Sequence, residues 1–218
     1  TPRAIAIRDF DGDLKADVVV AAGSSLNLYR NTGTGVLATP VLYAAGRTPY
    51  GLAIGDVDND GREDVVISNR DGCSLSTHLS LGAGTFALRR FTATAVQAAG
   101  VLVCNLDDDG DPDLVTASSF NDTLGVIRNF SQGILSPSLI TVDGCQATMV
   151  AASDVDGDGR ADLIVPNFNN NCASVLRNLG GGNFASTVNY PTGTGPVFLL
   201  AADVNGDGWP DVVSSNNT

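Results

Sequence analysis

A cluster of acidic residues returns five times along the 218-residue chain at nearly constant spacing. The clusters begin at Asp9, Asp56, Asn105, Asp154 and Asp203, so that successive starts lie 47, 49, 49 and 49 residues apart. A second landmark keeps the same register, because an Asn or Ser recurs at Asn31, Ser80, Asn129 and Asn178. The distance from this landmark to the next cluster is constant, so the two-residue deficit of the first repeat falls between Asp17 and Leu26. A repeat of this length indicates a structural unit that packs against copies of itself.

Each repeat contains four short segments of the kind that form strands. In the fourth repeat these segments are Met149–Ser153, Asp162–Pro166, Ser174–Arg177 and Phe184–Tyr190. Gly, Asn and Pro separate the segments, and no helical periodicity is present. Four strands in a repeat of about 40–50 residues are typical of a propeller blade, whereas a solenoid of this period would use helices. The sequence therefore predicts an all-β fold, a β-propeller of four-stranded blades.

The predicted propeller occupies residues 1–218 as one segment of about four and a half blades. Four complete blades span approximately residues 2–48, 49–97, 98–146 and 147–195, and a half blade spans residues 196–218. The half blade lacks its two outer strands, which leaves an unpaired edge. Two interpretations stay open. The segment is an excerpt of a ring of about six to eight blades, or a neighbouring molecule supplies the missing strands by self-association.

Each acidic cluster follows the pattern D-x-[DN]-x-D-G-x-x-D, or a close variant, and runs directly into an apolar strand. Oxygen side chains at alternate positions of a tight loop converge on one point, which suits the six to eight oxygen ligands of Ca²⁺. The loop differs from an EF-hand, because the position-twelve residue of the second loop is Ile67 rather than Glu. An Asp at position nine closes each loop instead. We predict up to five Ca²⁺ ions, held at positions one, three, five and nine by Asp9, Asp11, Asp13 and Asp17; Asp56, Asp58, Asp60 and Asp64; Asn105, Asp107, Asp109 and Asp113; Asp154, Asp156, Asp158 and Asp162; and Asp203, Asn205, Asp207 and Asp211.

The alternative interpretation of one such loop is an Asp- and Gly-rich turn that caps a hairpin without metal. Five loops in register favour the metal, because clustered carboxylates repel one another without a counter-ion. The five sites are not expected to be equal. Leu14 replaces Gly at position six of the first loop, which predicts a strained or altered turn and the weakest site, and Asn105 replaces the leading Asp of the third loop.

The formal net charge of -12 excludes several classes of partner. Nucleic acid and anionic lipid both need a basic face, so neither is expected. No apolar stretch approaches the roughly 20 residues that span a bilayer, so no membrane insertion is predicted. Of the 24 acidic residues, 18 occupy the predicted ligand positions, and five bound Ca²⁺ ions would change the formal charge from -12 to -2.

The loop and the segment that follows it resemble a known repeat. Asp154–Val165 and Arg177–Phe184 are similar to the FG-GAP/VCBS repeat of integrin-α-type propellers, and the resemblance covers essentially the whole chain. It implies that the cation loops join the first and second strands on one face, and that the opposite face or the blade edges contact a protein or a glycan. It also implies an extracellular or cell-surface protein that serves as an adhesion, interaction or structural module.

Three other functions can be compared with that of an interaction module: catalysis, carbohydrate binding, and service as a non-catalytic domain of an enzyme. An enzyme needs a general acid or base or an activated nucleophile in a pocket, but His78 is the only histidine and falls on a predicted third strand, so catalysis is not expected. A carbohydrate-binding propeller stays open, since Trp209 could stack on a sugar, although packing between loops is the favoured role of this side chain. A non-catalytic repeat domain of a larger extracellular enzyme is the third alternative.

Cysteines and glycosylation motifs add further expectations for an extracellular protein. Cys145 and Cys172 are predicted to lie on the face opposite the acidic loops and to form a disulfide, and Cys104 is expected to be a small core residue. Asn121, Asn129 and Asn216 each begin an N-glycosylation motif.

Overall fold

The computed structural model describes residues 1–94, 97–129, 135–142 and 146–217. These residues form four four-stranded antiparallel sheets and a fifth sheet of two strands. The first sheet has the order β1-β2-β3-β4 and contains β1 (Pro2–Arg8), β2 (Asp17–Ala22), β3 (Ser25–Tyr29) and β4 (Val41–Ala44). The second sheet has the order β5-β6-β7-β10 and contains β5 (Pro49–Gly55), β6 (Asp64–Asn69), β7 (Ser74–His78) and β10 (Arg90–Ala93).

The remaining sheets repeat this arrangement. The third sheet has the order β11-β12-β13-β14 and contains β11 (Ala98–Cys104), β12 (Asp113–Ser118), β13 (Thr123–Asn129) and β14 (Leu135–Thr141). The fourth sheet has the order β15-β16-β17-β20 and contains β15 (Ala151–Ser153), β16 (Asp162–Asn167), β17 (Cys172–Leu176) and β20 (Val188–Pro191). The fifth sheet pairs β21 (Pro196–Ala202) with β22 (Asp211–Asn216).

The sheets are the blades of a β-propeller. The first strands of successive sheets contact one another in chain order, β1 with β5, β5 with β11, β11 with β15, and β15 with β21. The sheets do not close into a ring. This arrangement confirms the predicted all-β propeller, with four blades of four strands followed by a sheet of two. The choice between an excerpt and completion by a neighbouring molecule stays a prediction.

Strand structure accounts for nearly all regular structure in the described residues. One 3₁₀ turn, Arg70–Gly72, lies between β6 and β7. None of the helical structure within the described ranges has the length and apolar character required to cross a membrane.

The turn between the second and third strands explains the irregular first repeat. In the first sheet β2 and β3 are joined by two residues, Gly23 and Ser24, with Gly23 at a φ of 62°. The corresponding turns of the next three sheets have four residues each, at 70–73, 119–122 and 168–171. The two-residue deficit therefore lies in this hairpin turn, within the interval that the sequence predicted.

A small hairpin precedes the outermost strand of two blades. The pair β8 (Ser80–Gly82) and β9 (Thr85–Phe86) belongs to the second repeat, and the pair β18 (Asn178–Gly180) and β19 (Asn183–Phe184) belongs to the fourth. The predicted strand Phe184–Tyr190 is therefore wrong at its start, because Phe184 ends the small hairpin and β20 begins only at Val188. The glycines at 180, 181 and 182 all adopt positive φ, which turns the chain back on itself before the outer strand.

The hydrophobic core lies between consecutive blades rather than within one. The largest cluster of buried side chains joins the third and fourth sheets, and further clusters join the first to the second, the second to the third, and the fourth to the fifth. The residue at position two of the acidic loop belongs to these clusters in four blades, at Phe10, Val57, Leu106 and Val155. Each of these loops is thus anchored in the apolar contact between two blades.

Candidate cation-binding loops

The five acidic loops occupy equivalent places in the fold. Each loop joins the first strand of its sheet to the second, at residues 9–16, 56–63, 105–112, 154–161 and 203–210. This connection is the one that the family resemblance implied.

Two residues of each loop adopt left-handed backbone conformations. Position four has a positive φ in all five loops, where it is occupied by Gly12, Asn59, Asp108, Gly157 and Gly206. Position six is also left-handed in the first loop, where Leu14 has a φ of 64°. Gly, Asn and Asp are the residues that tolerate this conformation best, so the composition of position four already carried a signal that the sequence analysis missed.

The position-one carboxylate organises the loop backbone through hydrogen bonds. In the fourth loop, the amide of Gly157 donates to Asp154 Oδ1 at 2.7 Å and the amide of Gly159 donates to Asp154 Oδ2 at 2.8 Å. These amide hydrogen bonds, with that of Gly159 the largest contribution, lower the pKa of Asp154. In the first loop the Leu14 amide donates to Asp9 Oδ2 at the same 2.8 Å. The predicted alteration at Leu14 is therefore confined to backbone strain, since the hydrogen-bonding pattern is kept.

The position-nine carboxylate ties the start of the loop to the end of the third strand. Asp162 is fully buried, and its Oδ2 accepts the amide of Val155 at 2.9 Å while its Oδ1 accepts the amide of Asn178 at 2.7 Å. The same pair of hydrogen bonds recurs at Asp17, Asp64 and Asp113. Burial raises the pKa of Asp64 to about 6. These predicted ligands thus serve the fold through both of their oxygens.

Three of the loops bring three carboxylate groups close together. Ligand-type oxygens lie within 4.8 Å of one another in the sets Asp9, Asp11 and Asp13; Asp56, Asp58 and Asp64; and Asp154, Asp156 and Asp162. The third and fifth loops each place an Asn among the predicted ligands, at Asn105 and Asn205, so they offer three acids rather than four. Ion binding by the complete predicted sets stays a prediction.

Two of the position-three aspartates each have a buried carboxylate oxygen that is not hydrogen-bonded. These atoms are Asp58 Oδ1 and Asp107 Oδ1, and neither has a hydrogen-bond partner among the described residues. Burial, and then the neighbouring carboxylates of Asp60 and Asp56, raise the pKa of Asp58. The pKa of Asp107 is likewise raised by burial and by Asp109. A buried oxygen beside other carboxylates is unfavourable without a cation, so the residues present fit a hard cation such as Ca²⁺.

A basic residue at position seven contacts the position-five aspartate in three loops. Lys15 Nζ lies 2.8 Å from Asp13 Oδ2, and Arg62 and Arg160 pair in the same way with Asp60 and Asp158. Arg160 Nε also donates to the carbonyl of Asn178 at 3.2 Å. These cations, which were not predicted, neutralise part of the loop charge. Arg62 and Arg160 also link position five to the first residue of the small hairpin in their blade.

Hydrogen bonds connect each of the first three loops to the blade that follows it. Asn129 Nδ2 donates to the carbonyl of Val57 at 2.7 Å, and Asn178 Nδ2 donates to the carbonyl of Leu106 at 2.8 Å. In both cases the acceptor is position two of the preceding loop. The second blade has Ser80 at this place, and there the amide of Gly84 donates to the carbonyl of Phe10 at 3.0 Å instead. The recurring Asn of the sequence is therefore a connection between blades.

The tryptophan and the cysteines that the sequence singled out lie outside the predicted ligand positions. Trp209 is 54% exposed, and its ring lies so close to Gly157 of the fourth loop that an added Cβ would stand 2.8 Å from it, as loop packing requires. Cys104 is half-buried and packs against the core between the third and fourth blades, where burial raises the pKa of its thiol to about 12. Cys172 is buried and forms no disulfide with another cysteine of the described residues. Cys145, its predicted partner, lies outside those residues, so the disulfide stays a prediction.

One of the three glycosylation motifs is incompatible with the fold. Asn129 is fully buried and its amide nitrogen donates hydrogen bonds to two carbonyls, those of Val57 and Pro112. A glycan on this nitrogen would require the blade contact to open, so Asn129 is not an acceptor in the folded chain. Asn121 and Asn216 are half-buried.

Comparison with known proteins gives a family and a fold. The FG-GAP-like repeat family matches residues 9–67, 105–165 and 154–214. No curated protein matches the chain.

Among solved structures, the chain is similar to a lectin from Agrocybe aegerita that specifically recognises non-reducing terminal N-acetylglucosamine, with 21% identity, a TM-score of 0.70, and coverage of 98% of this chain and 61% of that one. It is also similar to BBS1N, solved in complex with ARL6DN, with 14% identity, a TM-score of 0.65, and coverage of 99% and 62%. A third is the V. cholerae biofilm matrix protein Bap1, with 18% identity, a TM-score of 0.58, and coverage of 98% and 35%. The chain spans about three fifths of the length of the first two.

Proposed function

Because the chain belongs to the FG-GAP-like repeat family, we propose that it is a Ca²⁺-stabilised β-propeller module that binds a protein or a glycan outside the cell. The buried, unpartnered oxygens of Asp58 and Asp107 carry the cation part of this proposal. Asp58 lies in a loop where three carboxylates approach one another within 4.8 Å. The loop backbone is already ordered by its own carboxylates, so an ion would meet a preformed site.

The bound ion would neutralise the loops and hold the blades together. Positions one and nine fix the loop backbone, and position two carries the loop into the core shared with the next blade. A cation held between these positions would strengthen the link between blades as well as the loop itself. Affinities of about 10⁻⁴–10⁻³ M are expected, since this is the range of extracellular Ca²⁺ modules.

Calorimetric titration of the chelator-treated chain with Ca²⁺ tests this part of the proposal. Saturable binding of three to five ions is expected, and Asp58→Ala, which removes both position-three oxygens, should remove one of them. Asp122→Ala is the matched control, because it makes the same change in the turn between β12 and β13, outside the loops. Absence of saturable binding, or an unchanged stoichiometry in Asp58→Ala, would contradict the cation assignment.

The interaction part of the proposal rests on the fold. Propellers of this shape include one that recognises a glycan and one solved in complex with another protein. A non-catalytic role is proposed because the chain has one histidine, His78, whose pKa is lowered to about 4 by burial and, secondarily, by Arg89. The Cys104 thiol, with a pKa of about 12, is equally unsuited to nucleophilic catalysis.

Glycan binding is the second candidate, and the similarity to the lectin favours it. A glycan array probed with the labelled chain in millimolar Ca²⁺, and again in excess chelator, separates the candidates. Selective, Ca²⁺-dependent signals would support a carbohydrate-binding propeller. A uniformly blank array would leave a protein partner as the proposed ligand.

A further inference from the structure

A cleft of about 600 Å³ opens between the outer strands of the first and second blades. One lining side chain, Phe86, packs edge-on against Phe10 of the first acidic loop, with ring centroids 5.4 Å apart. Its walls are largely apolar, and several of the lining side chains are strongly exposed: Leu42, Leu81, Leu88 and Phe91. Small-molecule sites are typically of this size, with apolar walls and a few placed polar groups.

His78 lines this cleft and is buried without a partner. Its side chain is 1% exposed, and neither Nδ1 nor Nε2 makes a hydrogen bond. The nearest rings, Tyr43 and Phe86, stand edge-on to it with centroids 6.2 and 6.4 Å away, so they satisfy neither nitrogen. A buried polar group left unpaired destabilises a fold, and such groups are rare in native proteins.

The third and fourth blades show that the fold does not need a polar residue here. The residues one and two repeat lengths further along the chain are Ile127 and Leu176, and both are buried in the core between blades. All three residues occupy the same register, opposite an apolar residue of the second strand of their blade. The first blade has Tyr29 at this position. The second blade therefore places a histidine where the third and fourth blades place an apolar residue, and this histidine lines a cleft.

Arg89 supplies a positive charge beside the histidine. Its guanidinium carbon lies 4.4 Å from the centre of the Phe91 ring, and its Nε is buried without a hydrogen-bond partner. Among the described residues that line the cleft, Arg89 is the one charged side chain. The corresponding cleft between the third and fourth blades has Thr187 at this position and contains no charged lining residue in the described part of the chain.

We infer that the cleft between the first and second blades binds a small carboxylate with an apolar body. The apolar walls would cover the body, while the Arg89 guanidinium and an N–H of the His78 ring would donate to the carboxylate oxygens. A carboxylate held there also favours the protonated imidazole, in which both nitrogens donate. One ligand thus satisfies the groups that the fold leaves unpaired. None of the residues that line the cleft is one of the proposed cation ligands.

The single histidine provides a direct reporter of binding. We would titrate the full chain, in millimolar Ca²⁺, with 4-phenylbutyrate and follow the ring signals of His78 by NMR. A saturable shift is expected, with half-saturation at roughly millimolar concentration or tighter for a ligand of this size. The neutral isostere 4-phenylbutanol should produce at least tenfold weaker binding.

Two variants locate the site. Arg89→Thr, which copies the fourth blade, should weaken binding at least tenfold, whereas Arg90→Thr, its neighbour outside this cleft, should leave binding unchanged. His78→Leu copies Leu176 and should abolish binding in ligand-observed NMR while keeping the fold. The inference is overturned if the alcohol binds as well as the carboxylate, if no saturable shift occurs, or if Arg89→Thr and His78→Leu bind as the parent does.

Discussion

The aspartate at position nine illustrates how one side chain serves two needs. Asp162 is buried, and each of its oxygens accepts one backbone amide, those of Val155 and Asn178. A carboxylate oxygen has further lone pairs, so these hydrogen bonds do not prevent a cation contact. Asp156 at position three does not hold the loop to the rest of the blade in this way. Its side chain instead accepts a hydrogen bond from the exposed side chain of Arg177.

This difference predicts that the two positions respond differently to chelation. Asp162→Asn should lower the free energy of unfolding by about 1–3 kcal/mol with or without Ca²⁺, because the new amide group faces a backbone N–H that needs an acceptor. Asp156→Asn should destabilise only in Ca²⁺, since without the ion it merely removes a repelled charge. The free energy of unfolding of both variants can be measured by urea unfolding, once in Ca²⁺ and once in chelator. Equal losses for both in chelator would argue against the structural role of position nine.

His78 predicts a defined acid sensitivity. Burial lowers its pKa in the folded chain to about 4, whereas an unfolded histidine titrates near its ordinary value of 6.5. As the pH falls below 6.5 the unfolded chain takes up the proton first, so stability is full above 6.5 and is lost progressively down to about pH 4. The loss is on the order of 3 kcal/mol. His78→Leu should remove this component, measured as the difference between two urea-unfolding profiles from pH 4 to 7; parallel profiles would contradict it.

Several residue roles could be predicted from the sequence and others could not. The acidic positions and their register could be predicted, because the same pattern of acidic residues recurs about every 49 residues. The hydrogen bond from Asn178 to the carbonyl of Leu106 could not be predicted, because this carbonyl is a backbone group that lies 72 residues away in the sequence. The buried Asn129 shows the same limit, since a glycosylation motif carries no signal of whether its amide is already engaged.

In the loops and hairpins, the backbone conformation determines where a strand begins and ends when the pattern of side chains does not. The alternation of the fourth repeat did not separate the two-residue strand β19 from the outer strand β20, since both are short and only three residues lie between them. Their separation depends on the turn at Gly180–Gly182, whose positive φ values close the small hairpin first. The turn deficit in the first repeat was predictable, because a fixed register on both sides confined it to a few residues.

The backbone strain of the first loop is concentrated at one residue, Leu14. Leu14 keeps the amide hydrogen bond of the equivalent glycines but holds a φ of 64°, which costs about 1 kcal/mol or more in a residue with a Cβ. Leu14→Gly should therefore raise stability by about 0.5–1 kcal/mol and strengthen Ca²⁺ binding at this loop. The reverse change, Gly159→Leu, should cost a similar amount, because an added Cβ at Gly159 meets no atom within 4 Å and only the backbone is strained. Thermal unfolding of both variants checks the pair. A lower melting temperature for Leu14→Gly, or an unchanged or higher one for Gly159→Leu, would refute the strain argument.

Across the whole molecule, the loops and the core form one connected system. Position two of four loops packs into the core between blades, and the recurring Asn hydrogen-bonds to the position-two carbonyl of the preceding loop in two of the contacts. Charge acts on the same system, because 18 of the 24 acids lie at the predicted ligand positions. Without cations, repulsion within each loop opposes the packing that the same loop anchors.

The last prediction follows from this coupling of charge and packing. At about 2 mM Ca²⁺ and the affinities proposed above, each site contributes roughly 0.6–1.8 kcal/mol, so removal of three to five ions should lower the melting temperature by roughly 4–36 °C. In chelator, raising NaCl to about 0.5 M shortens the Debye length to about 4 Å and should recover part of this loss, because exposed carboxylates then repel less. In Ca²⁺ the same salt should have little effect on melting, since a formal charge of -12 would have become -2. Scanning calorimetry under these four conditions decides the matter, and equal melting temperatures with and without chelator at low salt would show that the acidic loops do not depend on a cation.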